Sequence, residues 1–211
     1  IQGCKLGYVQ SDEISLWITD YDNTQTDAWF GYNVQKMCSI AASMATAKFN
    51  ELRKDRFATQ RGGFMKPPAL ALFDARVFII PHVEEVINYF IWRQQDATRN
   101  SISMAAQSMY SHKELEGKSS DDKQEMIFQK GQNWNDYPVR FKRGTCAIKQ
   151  KHRFAIAADK SGKPSWRAEH IKAEAYHEDN DAYKCFNRSS WDIVKIPIFS
   201  QNKDFIRNII K

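Results

Sequence analysis

Two adjacent carboxylates, Asp12 and Glu13, sit between two runs of strand-forming residues, 5–10 and 14–19. The pattern reads as a β-hairpin with an acidic tip. Carboxylate oxygens are the hard ligands that Mg2+ takes, with waters and substrate phosphates completing its shell. Phosphoryl transfer between two such ions draws its carboxylates from different chain segments, with the ions roughly 4 Å apart. The hairpin offers one such segment. A solvated acidic turn is the plain alternative, because Asp is common at turns. Ser11, at the same tip, has two readings: a donor to a phosphate oxygen, or a cap of the turn.

The cations fall into three groups. Lys36 lies on a largely apolar helical pattern, and a lysine point charge suits triphosphate oxygens. Arg93, Asp96 and Asn100 have helical spacing, so Asp96 can orient either neighbour; a surface ion-pair face is the bland reading. Between residues 138 and 168, nine Lys and Arg stand against one acid, Asp159. Phosphate-backbone binding explains such a stretch and makes it salt-sensitive, with Lys142, Arg143 and Lys149 as contacts. A solvated hairpin is the alternative. Trp134, Tyr137 and Phe141 lie beside it, as base-stacking rings or as core. The histidines are scattered, with no ligand spacing, and the four cysteines form no CxxC, which excludes a zinc knuckle and a redox motif. Their low density points to reduced thiols and a cytosolic setting.

The elements that position these residues follow from periodicity. Asp27 can cap a helix running to about Leu52, with Phe30, Val34, Met37, Ala41, Ala45 and Phe49 on one face. Residues 53–68 read as a loop, broken by Gly62-Gly63 and Pro67-Pro68. Arg76–Ile80 reads as a strand. A long helix follows from Val83 to Met109, then one or two short helices around Gly117, two strands within 137–154, a strand-like run at 193–199 and a last helix from Lys203. The order strand–strand–helix–strand–helix predicts an α+β fold with an antiparallel sheet and helices on one face. A strand and helix before residue 5 would make it ferredoxin-like.

Composition bounds the class. The chain has 211 residues, 42% hydrophobic and 27% charged, with a net charge of +6. This excludes disordered and fibrous chains and permits a polyanionic partner. No apolar run approaches the roughly 20 residues of a membrane helix. The first residue is Ile1 and no secretory leader is visible, so the expectation is a piece of a longer protein.

The segment Gly7-Tyr-Val-Gln-Ser-Asp-Glu-Ile-Ser-Leu-Trp resembles the metal-binding hairpin of the tRNA-His guanylyltransferase family, the 3′–5′ polymerases. Trp29-Phe30 with Lys36, Phe73-Asp-Ala-Arg-Val-Phe, Trp92-Arg-Gln-Gln-Asp and Arg140-Phe-Lys-Arg-Gly-Thr continue the resemblance in order. It implies a ferredoxin-like polymerase palm over residues 1–110, without its first strand and helix, and a helical and β-hairpin extension over 111–211 that contacts tRNA. It implies two Mg2+ ions and addition of nucleotides to the tRNA 5′ end, the 3′-OH of an incoming NTP attacking an activated 5′ phosphate. Its partners would be tRNA, GTP and ATP, an upstream segment of the same protein, and further copies in a dimer of dimers, with no membrane.

On this resemblance Asp12 is the metal ligand and Glu13 a second ligand or its orienting partner. Ser11, Lys36, Arg93 and Asn100 would bind the nucleotide, and Lys142, Arg143 and Lys149 the tRNA. The family's first metal aspartate, in Asp-Gly-Arg-x-Phe, is not in this sequence, and Asp74 matches a later element. The family histidine after Trp-Arg-Gln-x-Asp is here Thr98, which resembles the proteins that repair truncated tRNA 5′ ends on a template. A nucleotidyl cyclase-like palm and a non-catalytic RNA-binding fragment are the alternatives.

Overall fold

A computed structural model describes residues 1–61, 69–157, 171–172 and 183–210. The chain forms two compact units, one of residues 1–4 and 18–85, the other of 5–17 and 86–211. None of the three boundaries falls at residue 110.

The second unit is built on an antiparallel sheet. β1 (Cys4–Gln10) and β2 (Glu13–Ile18) form the expected hairpin. β3 (Thr145–Ala157) pairs with β1, placing Tyr8 opposite Cys146 and Gly7 opposite Ala147. β5 (Tyr183–Val194) pairs along β3, and the short β4 (Ile171–Lys172) pairs with β3 at Phe154 and Ala155. A strand from beyond residue 110 is thus bonded directly to the hairpin.

Side chains alternate along a strand, so register decides what each face carries. Leu6, Tyr8, Cys146 and Ile148 point to one face and are buried. α2 (Val83–Gln107) covers that face, because Val86, Ile87 and Phe90 recur at helical spacing. The Tyr8 ring meets Phe90 edge-on at 6.2 Å and Phe199 at 5.8 Å. Burial pushes the Cys146 thiol up to about 12, so it stays neutral in the core. Ile206 and Ile210 of α6 (Asp204–Ile210) are buried as well.

The far end of α2 forms a second core. Ile102, Ala105 and Ala106 pack with Leu115 of α3 (His112–Leu115), Ile127 of α4 (Ser120–Gln129) and Trp134. Both short helices start with capping boxes: Ser111 N donates to Glu114 at 2.8 Å and Ser119 N to Asp122 at 2.9 Å.

Five expectations are corrected. The residues before Gly144 form a helix, α5 (Val139–Arg143), not a strand, because Pro138 at its start supplies a fixed φ and no N–H. The last strand ends at Val194, and 195–199 is not strand. In the first unit, the helix α1 (Val34–Arg61) runs nine residues past Leu52, since nothing before Gly62 breaks it. It is capped by Asn33 rather than Asp27: Asn33 Oδ1 accepts from Lys36 N at 3.0 Å. Arg76–Ile80 belongs to no described ladder. Its neighbours upstream bond to α1, where Asn50 exchanges two bonds with Ala71 and Thr46 accepts from Phe73 N.

Cys4, Cys38 and Cys146 are free thiols. No described helix is long and apolar enough to cross a membrane.

Candidate functional site

The hairpin turn is a two-residue loop, Ser11-Asp12. Ser11 has φ of 48, the left-handed region that glycine or asparagine normally fills in such turns. A serine there costs about 1 kcal/mol. Ser11 and Asp12 are exposed. Among the described residues Asp12 accepts no hydrogen bond. Glu13 differs. Its Oε2 accepts from Gln10 Nε2 at 3.0 Å and from the Arg93 guanidinium in a shorter contact. The two carboxylates, adjacent in sequence, are one open and one committed.

Arg93 is the hub on α2. Its side chain is 11% exposed, paired with Glu13 and, at 3.4 Å, with Asp96. Its guanidinium lies 4.5 Å from the Trp92 ring. Asp96 also takes Arg99 and Asn100 at 3.4 Å. The predicted orienting role of Asp96 is therefore present in geometry. Arg93 itself is turned to the hairpin, so it acts as a strut for Glu13 more than as an open phosphate fork. Lys36 lies in the other unit, exposed, with Nζ 4.6 Å from the Phe30 ring.

Of the three predicted RNA contacts, the structure withdraws Lys142. It is 7% exposed; Nζ donates to the Asn135 carbonyl and sits 5.5 Å from the Trp134 ring. A long aliphatic stem lets a lysine line a core and still find a carbonyl. Trp134 is core too, its Nε1 donating to Ser101 at 3.0 Å. Lys149 is exposed on β3. Arg143 lines an open cavity of about 450 Å3 with Gln95, Thr98, Arg99, Ile198 and Ser200. Two arginines at one mouth suit an anionic group. Thr98 Oγ1 donates to the Gln94 carbonyl at 3.0 Å.

Four positioning residues escaped the sequence reading. Gln94 clamps the loop after β5 to α2, donating to the Pro197 carbonyl at 3.0 Å and accepting from Phe199 N at 2.8 Å. Ser15 and Tyr89 share a 3.0 Å bond that ties β2 to α2. Gly144 has φ of 81, and a Cβ there would meet the Val9 carbonyl at 2.5 Å, so only glycine lets β3 start beside β1. The amide Gln94 was visible inside Trp92-Arg-Gln-Gln-Asp, but its partners lie a hundred residues away.

Carboxylate oxygens at a tight turn suit a divalent cation. No group of three His, Cys, Asp or Glu side chains that could hold an ion occurs among the described residues. With Glu13 drawn to Arg93, the hairpin provides one open carboxylate, Asp12, and not a complete two-ion centre.

The architecture is a mixed α+β fold with one antiparallel sheet and an acidic hairpin braced by a helix. The family model for tRNAHis guanylyltransferase matches residues 1–81. A probable tRNA(His) guanylyltransferase of Bos taurus is 27% identical over 157 residues, 69% of this chain and 49% of the relative. The tRNA(His) guanylyltransferase 1 of Arabidopsis thaliana is 26% identical over 189 residues, 85% of this chain and 31% of the relative. A solved bacterial tRNA(His) guanylyltransferase (Thg1)-like protein in complex with ATP covers the whole chain at 38% identity, with a TM-score of 0.73 and 73% of that structure matched. A second solved structure, in complex with GTP, matches at 37% identity and a TM-score of 0.67. The chain belongs to the tRNA(His) guanylyltransferase family. It spans about half the length of the bovine relative.

Proposed function

We propose that this chain carries the template-directed 3′–5′ nucleotidyl addition of its family, extending tRNA 5′ ends. The observation that carries the reading is the hairpin's division of labour: Asp12 open at the tip, Glu13 held by Arg93, which Asp96 anchors in turn. In the proposed reaction the NTP 3′-OH attacks the activated 5′ phosphate. The new O3′–P bond forms as pyrophosphate or AMP leaves. Mg2+ would neutralise phosphate charge and lower the barrier to attack. Asp12 is the ligand this chain would offer it, and a second carboxylate must come from elsewhere. Arg93 and Asp96 position the hairpin, while Arg99 and Arg143 offer positive charge at the cavity mouth beside Thr98. Ser11 and Lys36 remain candidates for phosphate contact, and Asn100 orients with Asp96.

The proposed task is templated repair. Thr98 stands where the family resemblance expects histidine, and its hydroxyl is engaged with its own helix. ATP and GTP, which the solved relatives hold, are the proposed nucleotides. The proposed assembly is a dimer of dimers. The test offers 5′-truncated tRNAs carrying each of four opposing bases, with labelled NTPs. Addition of the complementary nucleotide in each case is expected; G regardless of template would overturn the repair assignment. With Glu13 committed to Arg93, a second reading is a non-catalytic RNA-binding module. Tight tRNA binding with no extension would establish it.

A further inference from the structure

One face of the sheet in the second unit is packed and the other is open. Register places Gly7, Val9, Ala147, Lys149, Lys151, Ser189, Trp191 and Ile193 on the open one. Lys149 faces Trp191 directly across β3 and β5, and Lys151 faces Ser189. Trp191 is 47% exposed, and Ile193 81%. Val9, Ile14 and Leu16 extend the same surface half-exposed, around a glycine that adds no side chain: Gly7, against which Leu16 lies.

An exposed tryptophan is costly to leave in water, and nothing in the described fold uses this one. Its neighbours decide what it fits. Two lysines beside a flat aromatic ring match a nucleotide, whose base has a π-face and whose phosphates are anionic. An antiparallel sheet that presents a ring on its open face is also a proven way to hold unstacked RNA bases. An apolar protein partner would not need the lysines, and a duplex would not need the ring. We propose that Trp191, with Lys149 and Lys151, is a stacking platform for an unpaired nucleotide of single-stranded RNA. The inference rests on the RNA-directed reading above. It adds a residue that the sequence did not single out, in place of Trp134, which is core.

The test uses the full chain and two fluorescent probes of equal charge, a single-stranded oligoribonucleotide and a blunt RNA hairpin. Trp191→Ala should weaken single-strand binding about tenfold, leave the slope of log affinity against log salt unchanged, and barely affect the hairpin. Trp191→Phe should restore most of the affinity. Lys149→Gln with Lys151→Gln should instead lower the salt slope by about one to two units. An oligomer of the same length without bases should bind the unaltered protein as poorly as Trp191→Ala binds RNA, which tests the platform without any variant. Equal binding of the base-free oligomer, or an unaffected Trp191→Ala, overturns the proposal. So does a Trp191→Ala variant whose only change is loss of self-association in sedimentation, which would make the face a contact between copies. If templated addition fails while the stacking signature holds, the polymerase reading falls and the platform stands. If addition succeeds and the signature is missing, the platform alone falls.

Discussion

The acidic hairpin and the β3–β5 ribbon dispose of their charges in opposite ways. At the hairpin, Glu13 and Asp96 are balanced by Arg93 and Arg99 in a partly buried network, and a single carboxylate is left at the tip. On the ribbon, Lys149 and Lys151 stand in solvent beside an exposed ring. Buried charge must be paired, so it goes into architecture; exposed charge is available to a ligand. The contrast recurs within two residues of α5, where Lys142 is turned inward to a carbonyl and Arg143 lines an open cavity.

The contrast can be broken most violently at its hub. Arg93→Met should destabilise the fold by about 3 kcal/mol, because it leaves Glu13 without its cation and Asp96 with Arg99 alone. Urea unfolding measures this, and a loss under about 1 kcal/mol would mean the network is solvated after all.

The lysine and arginine of α5 should separate next. Lys142→Ala should cost about 2 kcal/mol through lost packing on Trp134 and an orphaned carbonyl, while leaving the salt dependence of RNA binding unchanged. Lys142→Met, which keeps the stem, should recover part of that loss. Arg143→Gln should do the reverse: stability within about 0.5 kcal/mol of the parent, and a salt slope lower by about one unit. Matching effects from the two residues would erase the distinction.

The smallest effect concerns charges that are exposed and still structural. The bond from the Ser111 hydroxyl holds Glu114 below its ordinary 4.5, and that from Ser119 holds Asp122 below 3.8. Both folded-state values lie below the unfolded ones. The caps therefore add stability above those pH values and lose it as pH falls through the folded ones. Ser111→Ala and Ser119→Ala should flatten the dependence of the urea midpoint on pH below about 4.5. An unchanged acid limb would show that the boxes contribute nothing.

How much of this the sequence revealed depends on the range of the interaction. The hairpin was legible because alternation is local, and α2 because Val86, Ile87 and Phe90 repeat at helical spacing. Asp96 could be read as an orienting group because its partners lie within one helical turn. Lys142 could not be read correctly: a lysine in a basic run looks exposed, and only the arrival of Trp134 and the Asn135 carbonyl turns it inward. The strand composition of Arg76–Ile80 was real, but a ladder needs a neighbour that composition does not supply. Trp191 was invisible for the same reason, since its pairing with Lys149 is a matter of register across forty residues.

The central claim is that Asp12 serves the chemistry and Glu13 the architecture. The direct test measures Asp12→Asn and Glu13→Gln side by side, for templated addition to truncated tRNA and for urea stability, in the protein as it is expressed with all its segments. Asp12→Asn should unfold within about 0.5 kcal/mol of the parent. Its addition rate should fall more than about 100-fold, since loss of an outer partner alone costs 10- to 100-fold. Glu13→Gln should lose about 2 kcal/mol of stability by weakening the Arg93 pair. Near-normal addition by a folded Asp12→Asn protein would contradict the account.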